Sequence, residues 1–579
     1  MRSRSLRAGA AYEDPAYAVR EKFLFLQSRG NEPISDLSAC VTRQDGAAPA
    51  RSGSTLPSLP THLPVPAIVN IRDLTRRVAR GSGIVFAGQI AGKVIGVFLQ
   101  ITLSRGLGKA LYGTYALAIS LMKILRAVGG LGLQGGVVRF SAEAQGQGEV
   151  GRVRGTLLAT LAIGTMTSIV IGVSLFLTSG WWAEVVFQDE LLVPILRAFA
   201  VALPFYVLTF LTAQAARGLQ SMLADVSIGI VAQPFVNLIA VSIAFLLGYT
   251  LNGAIAAFVL SSVVSGSLGV WVLSRIFRPL WGGVSAHFDV QRLLRYSLPV
   301  MGVGLTALFV DQADRLMIGI LASTSDVGVY TIAALLATQV RFVLSAVSAT
   351  FTPIISDLYH GDRRDELERL FKITTRWIVM LSLPLAIVLA LFPTPFLWVF
   401  GPEFMEGAPV VLMLTIGSFL NGATGTIGLM LQMSDYERMV LLDNVAVAIL
   451  NVGLNLWLIP IYGPLGAAIA TAVSVTLINA VQVMQVRSRL DMTPFDADLF
   501  RPMAAGCIAA VAGWGIAEIT AFSLNPPWML DAVAGIAATG IVYLGAIVAV
   551  GLPSDDWSVL TPILRRTGLD RFISSEEEP

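Results

Sequence analysis

Apolar runs of bilayer length follow one another from about residue 82 to residue 551, with little polar sequence between them. A helix rises ~1.5 Å per residue, so roughly 20 apolar residues cross a hydrocarbon core about 30 Å thick. This constrains the chain more than any other feature. Charged residues are 13% of the 579 and hydrophobic ones 55%, where soluble domains carry about 25% charged. Mean hydropathy is +0.72. The chain therefore reads as an all-α polytopic membrane protein with about fourteen transmembrane helices.

The expected spans are 82–104, 111–138, 155–178, 190–216, 225–247, 252–274, 296–321, 327–356, 372–393, 408–432, 441–460, 464–486, 500–521 and 528–551. Residues 1–70 are polar, Pro-rich and aperiodic, and are expected to form a disordered cytoplasmic tail. No charged, apolar and cleavage regions occur there in the order of a secretory signal. A misassigned start codon explains the segment equally well. Residues 552–579 are expected to be a second cytoplasmic tail.

Loop cations set the orientation, because positive loops stay cytoplasmic. Alternate loops carry twenty-four Lys and Arg, from Arg72 through Arg139, Arg292, Arg363 and Arg487 to Arg571. The other set carries only Arg105 and Lys109. Both termini are expected in the cytoplasm of a bacterium whose inner membrane holds the protein. Every outer loop is short, which leaves no room for an outer folded domain.

Self-similarity divides the chain further. "GTY" at 113–115 echoes "GVY" at 328–330, "VFQDE" at 186–190 echoes "VFGPE" at 399–403, and "YTLNGAIAA" at 249–257 echoes "YGPLGAAIA" at 462–470. The offsets are 215, 213 and 213 residues. A repeat of six helices is even, so both copies run the same way. Two six-helix lobes are expected, at 80–275 and 290–490, followed by two extra helices at 500–551. Parallel repeats about an axis along the membrane normal are a transporter architecture with the site between the lobes.

Eight charges fall inside spans: Lys93, Lys123, Arg126, Arg197, Arg315, Arg341, Asp311 and Asp314. Each costs about 2.5–3.5 kcal/mol at mid-bilayer on insertion scales, so they face a wet cavity, pair, or reach the interface. Lys123 lies sixteen residues from Arg139, about 24 Å along a helix, which is deep. Arg126 follows at i+3 on the same face. Arg341 belongs to a polar stripe with Ala334, Thr338, Ser345, Ser348 and Thr352. The six cations are candidates for a cationic cavity. For Arg197, an interfacial position stands equally open. Asp311 and Asp314 are candidates for pairing with a neighbouring helix or for carrying a coupling ion. Further stripes run through Asn421, Thr424, Gly428 and Gln432, and through Asn444, Asn451 and Asn455. Such residues more often bind helix to helix than ligand. A cavity with six cations and two anions concentrates anions, and Arg grips phosphate with two donors. The inferred substrate is a large anion bearing phosphate.

Cys40 and Cys507 lie far apart, and His287 and His360 lack metal-ligand spacing. No metal, cofactor or nucleic-acid partner is expected. No nucleophile with an orienting base can be named, so the chain is not read as an enzyme.

Several stretches resemble the polysaccharide-transporter (Wzx-type flippase) family of the MOP superfamily, which also holds the MATE exporters. They are "ADRLMIGILASTSDVGVYTIAA" (313–334), "FTPIISDLYHGD" (351–362), "VFGPEFMEGA" (399–408), "LLDNVAVAILNVGLNLWLIPIYGPLGAAIAT" (441–471) and "GGLGLQGGVVRFSAE" (129–143). The resemblance implies a V-shaped pair of six-helix bundles. It implies flipping of a polyprenyl-diphosphate-linked oligosaccharide, a repeat unit such as that of O-antigen or exopolysaccharide, by alternating access. The glycan lipid, the bilayer and polysaccharide polymerase or assembly proteins are the implied partners. The competing reading is a MATE-like drug or ion antiporter, which needs acidic cavity residues. A non-transporting scaffold is a third reading, and gains nothing from intramembrane cations.

Overall fold

A computed structural model describes residues 71–277, 284–524, 528–551 and 553. The tails at 1–70 and 554–579 lie outside them. The elements formed by the described residues are helices, in the order α1 (Ile71–Gly129), α2 (Leu133–Gly146), α3 (Val150–Gly180), α4 (Leu192–Gly218), α5 (Met222–Val226), α6 (Gln233–Leu246) and α7 (Leu251–Phe277). Then come α8 (Val290–Leu321), α9 (Thr324–Ala337), α10 (Phe342–His360), α11 (Arg364–Leu391), α12 (Pro393–Phe400), α13 (Ala408–Ala423) and α14 (Ile427–Met433). The last four are α15 (Glu437–Tyr462), α16 (Pro464–Leu490), α17 (Phe500–Leu524) and α18 (Trp528–Val550).

Among the described residues, twelve helices are long and apolar enough to cross a membrane, or thirteen when the bent pair α9–α10 counts as one span. The first of these runs 45 residues, Val85–Gly129, roughly twice what a ~30 Å core needs. It is a hairpin. Gly108 has φ +69°, ψ 172°, which no helix admits. Tyr112 OH donates to Gln100 Oε1 at 2.7 Å. Twelve residues of straight helix would hold those residues about 18 Å apart along the axis. Counting this hairpin as two spans gives every expected span a helical counterpart.

Breaks inside spans follow local causes. Between α9 and α10 the chain bends by 52°, over a turn at Thr338–Arg341. Between α13 and α14 it turns at Gly425, φ +69°, where a side chain would strike Thr375. Segments Trp181–Val186 and Ser227–Ala232 wind as π turns.

The duplication is visible in the packing. A methyl group on Gly113 would land on the Thr324 carbonyl, and one on Gly328 would land on the Lys109 carbonyl. Gly113 and Gly328 are separated by 215 residues, and so are Lys109 and Thr324. Residues related by the repeat therefore meet each other reciprocally, as happens on a two-fold axis. Small residues allow this α1–α9 approach, the usual route to close helix contact in lipid.

Helices α17 and α18 pack on each other and on α11. Arg376 of α11, 3% exposed, reaches Asp496 at 2.9 Å and Asp498 at 3.5 Å just before α17. Arg501 also pairs with Asp498, at 3.2 Å. Tyr543 OH donates to the Met380 carbonyl at 2.8 Å.

Candidate functional site

The second limb of α1 carries Lys123 and Arg126 side by side, both half-buried. The Arg126 guanidinium lies 4.6 Å from the Tyr206 ring and 4.7 Å from the Phe210 ring of α4. These rings hold the cation by their electron-rich faces while leaving its donors free. α1 packs against α8, the helix that carries Asp311 and Arg315.

Arg315 donates to the carbonyl of Asp311 one turn earlier at 3.0 Å. Asp311, Asp314, Arg315 and Arg341 line one cavity of about 330 Å³ in the second half of the chain, together with Asn421 and Asn451. Lys93 comes from the first limb of α1 and is exposed; its Nζ stands 3.8 Å above the ring of Phe342, the neighbour of Arg341. Lys93, Lys123 and Arg126 thus lie on α1, which packs against α8, while Arg315 and Arg341 line the cavity of the second half. Among the described residues none of the five forms an ion pair.

Arg197 is set apart from these five. Its Nε donates to Ser179 Oγ at 3.2 Å, and its guanidinium lies 5.7 Å from the Phe176 ring. It sits on the exposed stripe of α4 with Val201, while Leu196, Phe199 and Ala200 face inward.

Asp314 is buried, and its carboxylate accepts from three helices. Tyr330 OH on α9 is one donor. Asn455 Nδ2 on α15 donates at 2.8 Å and Thr471 Oγ1 on α16 at 2.6 Å. Asn455 also donates to Asn451 at 3.1 Å. Asp311 is exposed and accepts from Gln312. Neither aspartate pairs with Arg315.

The stripe on α15 runs through buried Asp443 rather than Asn444, which is exposed. Asp443 accepts from Gln485 at 3.0 Å and Gln482 at 3.5 Å. Its spacing of eight from Asn451 puts both on one face and could have disclosed it. Tyr330 and Thr471 had no signal in the sequence, since both sit in apolar runs. The Asn421 stripe is tied by Asn479, which donates to Asn421 at 3.2 Å.

The fold is that of an all-helical multi-pass membrane protein with charged residues inside its spans. The family model described as Polysaccharide biosynthesis protein matches residues 78–359, and the model described as MatE matches 299–457. The protein named "Probable low-salt glycan biosynthesis flippase Agl15", from Haloferax volcanii, is 26% identical over 187 residues, 32% of this chain and 40% of that protein. The chain thus spans about two fifths of that relative's length. Two solved structures share the fold. "Lipid II flippase MurJ, inward closed conformation" superposes with a TM-score of 0.61 at 12% identity, covering 79% of this chain and 97% of that one. An inward-facing multidrug resistance MATE family transporter of the MOP superfamily gives 0.57 at 17% identity, covering 69% and 94%. Together the two family models match residues 78–457, and the solved structures share the fold.

Proposed function

We propose that the protein flips a polyprenyl-diphosphate-linked oligosaccharide across the cytoplasmic membrane by alternating access. One observation carries this reading: Arg315 and Arg341 line one cavity, Lys123 and Arg126 lie on the helix α1 that packs against α8, and none of the four forms an ion pair among the described residues. Unpaired intramembrane cations cost several kcal/mol in total, and an anionic headgroup offsets that cost when it binds. Lys123 and Arg126 hold the diphosphate or acidic sugars from the first lobe, residues 80–275. Arg315 and Arg341 meet it from the second lobe, residues 290–490, and Lys93 stands beside them. Arg197 takes no part in the grip. The lipid tail stays in the bilayer. The arginine-rich face is cytoplasmic, and the face with Arg105 and Lys109 is outer. The likeness to a glycan-biosynthesis flippase supports the same reading.

Asp314 suits the coupling ion better than Asp311 does. It is a buried carboxylate that accepts from two hydroxyls and an amide NH2 in the cavity that also holds Arg315 and Arg341. The MATE-like antiporter remains the second reading, favoured by that carboxylate and by the MatE match over 299–457. Depletion of the protein separates the two. A flippase leaves lipid-linked glycan accumulating in the cytoplasmic leaflet. An antiporter leaves glycan distribution unchanged and raises drug sensitivity.

A further inference from the structure

The two flanks of the outer end are equivalent by the repeat and differ in chemistry. On one flank, Ser104 Oγ donates to the Phe400 carbonyl at 2.8 Å, Arg105 Nε to Val399 at 2.7 Å and Arg105 Nη2 to Trp398 at 3.0 Å. These are the last carbonyls of α12, and that of Trp398 also accepts from the Gly401 amide at 3.0 Å. Arg105 also lies 4.9 Å from the Trp398 ring. The Lys109 amide donates to Glu403 at 3.0 Å, and Lys109 Nζ pairs with Glu406 at 2.8 Å. Beneath them Tyr112 and Phe404, both buried, meet edge to face at 5.7 Å.

The repeat offset places Gly319, Ile320 and Thr324 where the first copy has Ser104, Arg105 and Lys109. The loop 186–190 stands where the second copy has 399–403. Glycine and isoleucine offer no side-chain donor, so the latch cannot form there. That flank instead encloses an open pocket of about 310 Å³, between Phe187, Asp189 and Leu191 on one side and Gly319, Ala322 and Ser323 on the other. Asp189 accepts from Thr114 and from the Leu191 amide, within its own half. Ser323 bonds Asp326, likewise within its half. Among the described residues no hydrogen bond or ion pair crosses this pocket.

We infer that the outer end opens asymmetrically. It parts across the 187–191/319–324 pocket, while the Ser104–Arg105–Lys109 latch persists as the hinge. Opening the latch flank strips carbonyls and carboxylates of their partners, and opening the pocket flank breaks no such bond. The inference deepens the flippase reading, and its test does not depend on the cargo.

The test uses the full-length protein in liposomes with Cys40→Ser and Cys507→Ser, and with Thr306→Cys on exposed α8 as reporter. Two pairs are bridged with bis-thiol linkers before the reporter is unmasked: Leu191→Cys with Ala322→Cys across the pocket, and Lys109→Cys with Glu406→Cys across the latch. The readout is the rate at which an impermeant maleimide added on the outer side reaches the reporter. Bridging the pocket is expected to slow labelling at least tenfold, and bridging the latch to change it less than twofold. If the latch bridge blocks labelling, or the pocket bridge leaves it unchanged, the inference is overturned. Wild-type side chains supply a second measurement, by cross-linking with Leu191→Cys and Ala322→Cys alone and the latch intact. Linkers of increasing length should then capture a widened pocket, and capture at a single short length contradicts the inference. Failure of glycan flipping in the same vesicles with this labelling pattern intact would count against the cargo and not against the hinge.

Discussion

Arg126 is the residue whose chemistry is most specific. Two aromatic faces fix its guanidinium, an arrangement worth about 0.5–2 kcal/mol. Lysine keeps the charge but loses the planar two-donor grip. Arg126→Lys is therefore expected to retain partial transport, with Arg126→Ala losing about tenfold or more, a difference a vesicle transport assay resolves. Asp314 tests a different property. Asparagine there puts an NH2 among three donors and leaves one of them without an acceptor, at about 1–3 kcal/mol per buried unsatisfied group. Asp314→Asn should lower the thermal midpoint in detergent by several degrees, and Tyr330→Phe should lower it less, because Asn455 and Thr471 remain. The sequence exposed the intramembrane charges, because charge inside an apolar run is conspicuous. It was silent on Tyr330 and Thr471, whose roles arise only when α9 and α16 fold against α8. It also left Arg197 undecided, since periodicity does not say which face of α4 meets its neighbours.

At the scale of elements, apolar run length located every span, because the bilayer fixes how much helix must be apolar. The breaks were less legible. Hydropathy registers composition and not backbone path, so the 52° bend between α9 and α10 and the turn at Gly425 were invisible to it. The repeat was readable through short echoes such as "GTY" and "GVY", and the fold explains why these persisted together: Gly113 and Gly328 sit against each other at the α1–α9 contact. A valine at either position meets backbone that cannot yield. Gly113→Val is expected to cut the yield of folded protein severalfold by size-exclusion fluorescence. Gly146→Ala faces open space and should change stability by no more than about 0.5 kcal/mol. The buried Arg376 supports a similar statement about α17–α18. Removing its charge takes a cation from both Asp496 and Asp498 and leaves Arg501 on Asp498. Arg376→Ala should loosen the hairpin and raise its proteolysis at the 491–499 connection, with glycan transport as a separate readout.

At the scale of the whole molecule, the proposed orientation rests on charge asymmetry and the proposed cargo on the intramembrane cations. Cysteines placed at His360, on the arginine-rich side, and at Gly248, on the other, should react with an impermeant thiol reagent from the inside and the outside respectively in intact cells. The most direct measurement follows lipid-linked glycan by leaflet, in cells or vesicles carrying wild type, Arg126→Ala or Arg341→Ala at matched, folded levels. Labelled glycan is expected to reach the outer leaflet with wild type and to stay on the cytoplasmic side with either variant. Unchanged translocation by both well-inserted variants would contradict an anionic headgroup held by these cations.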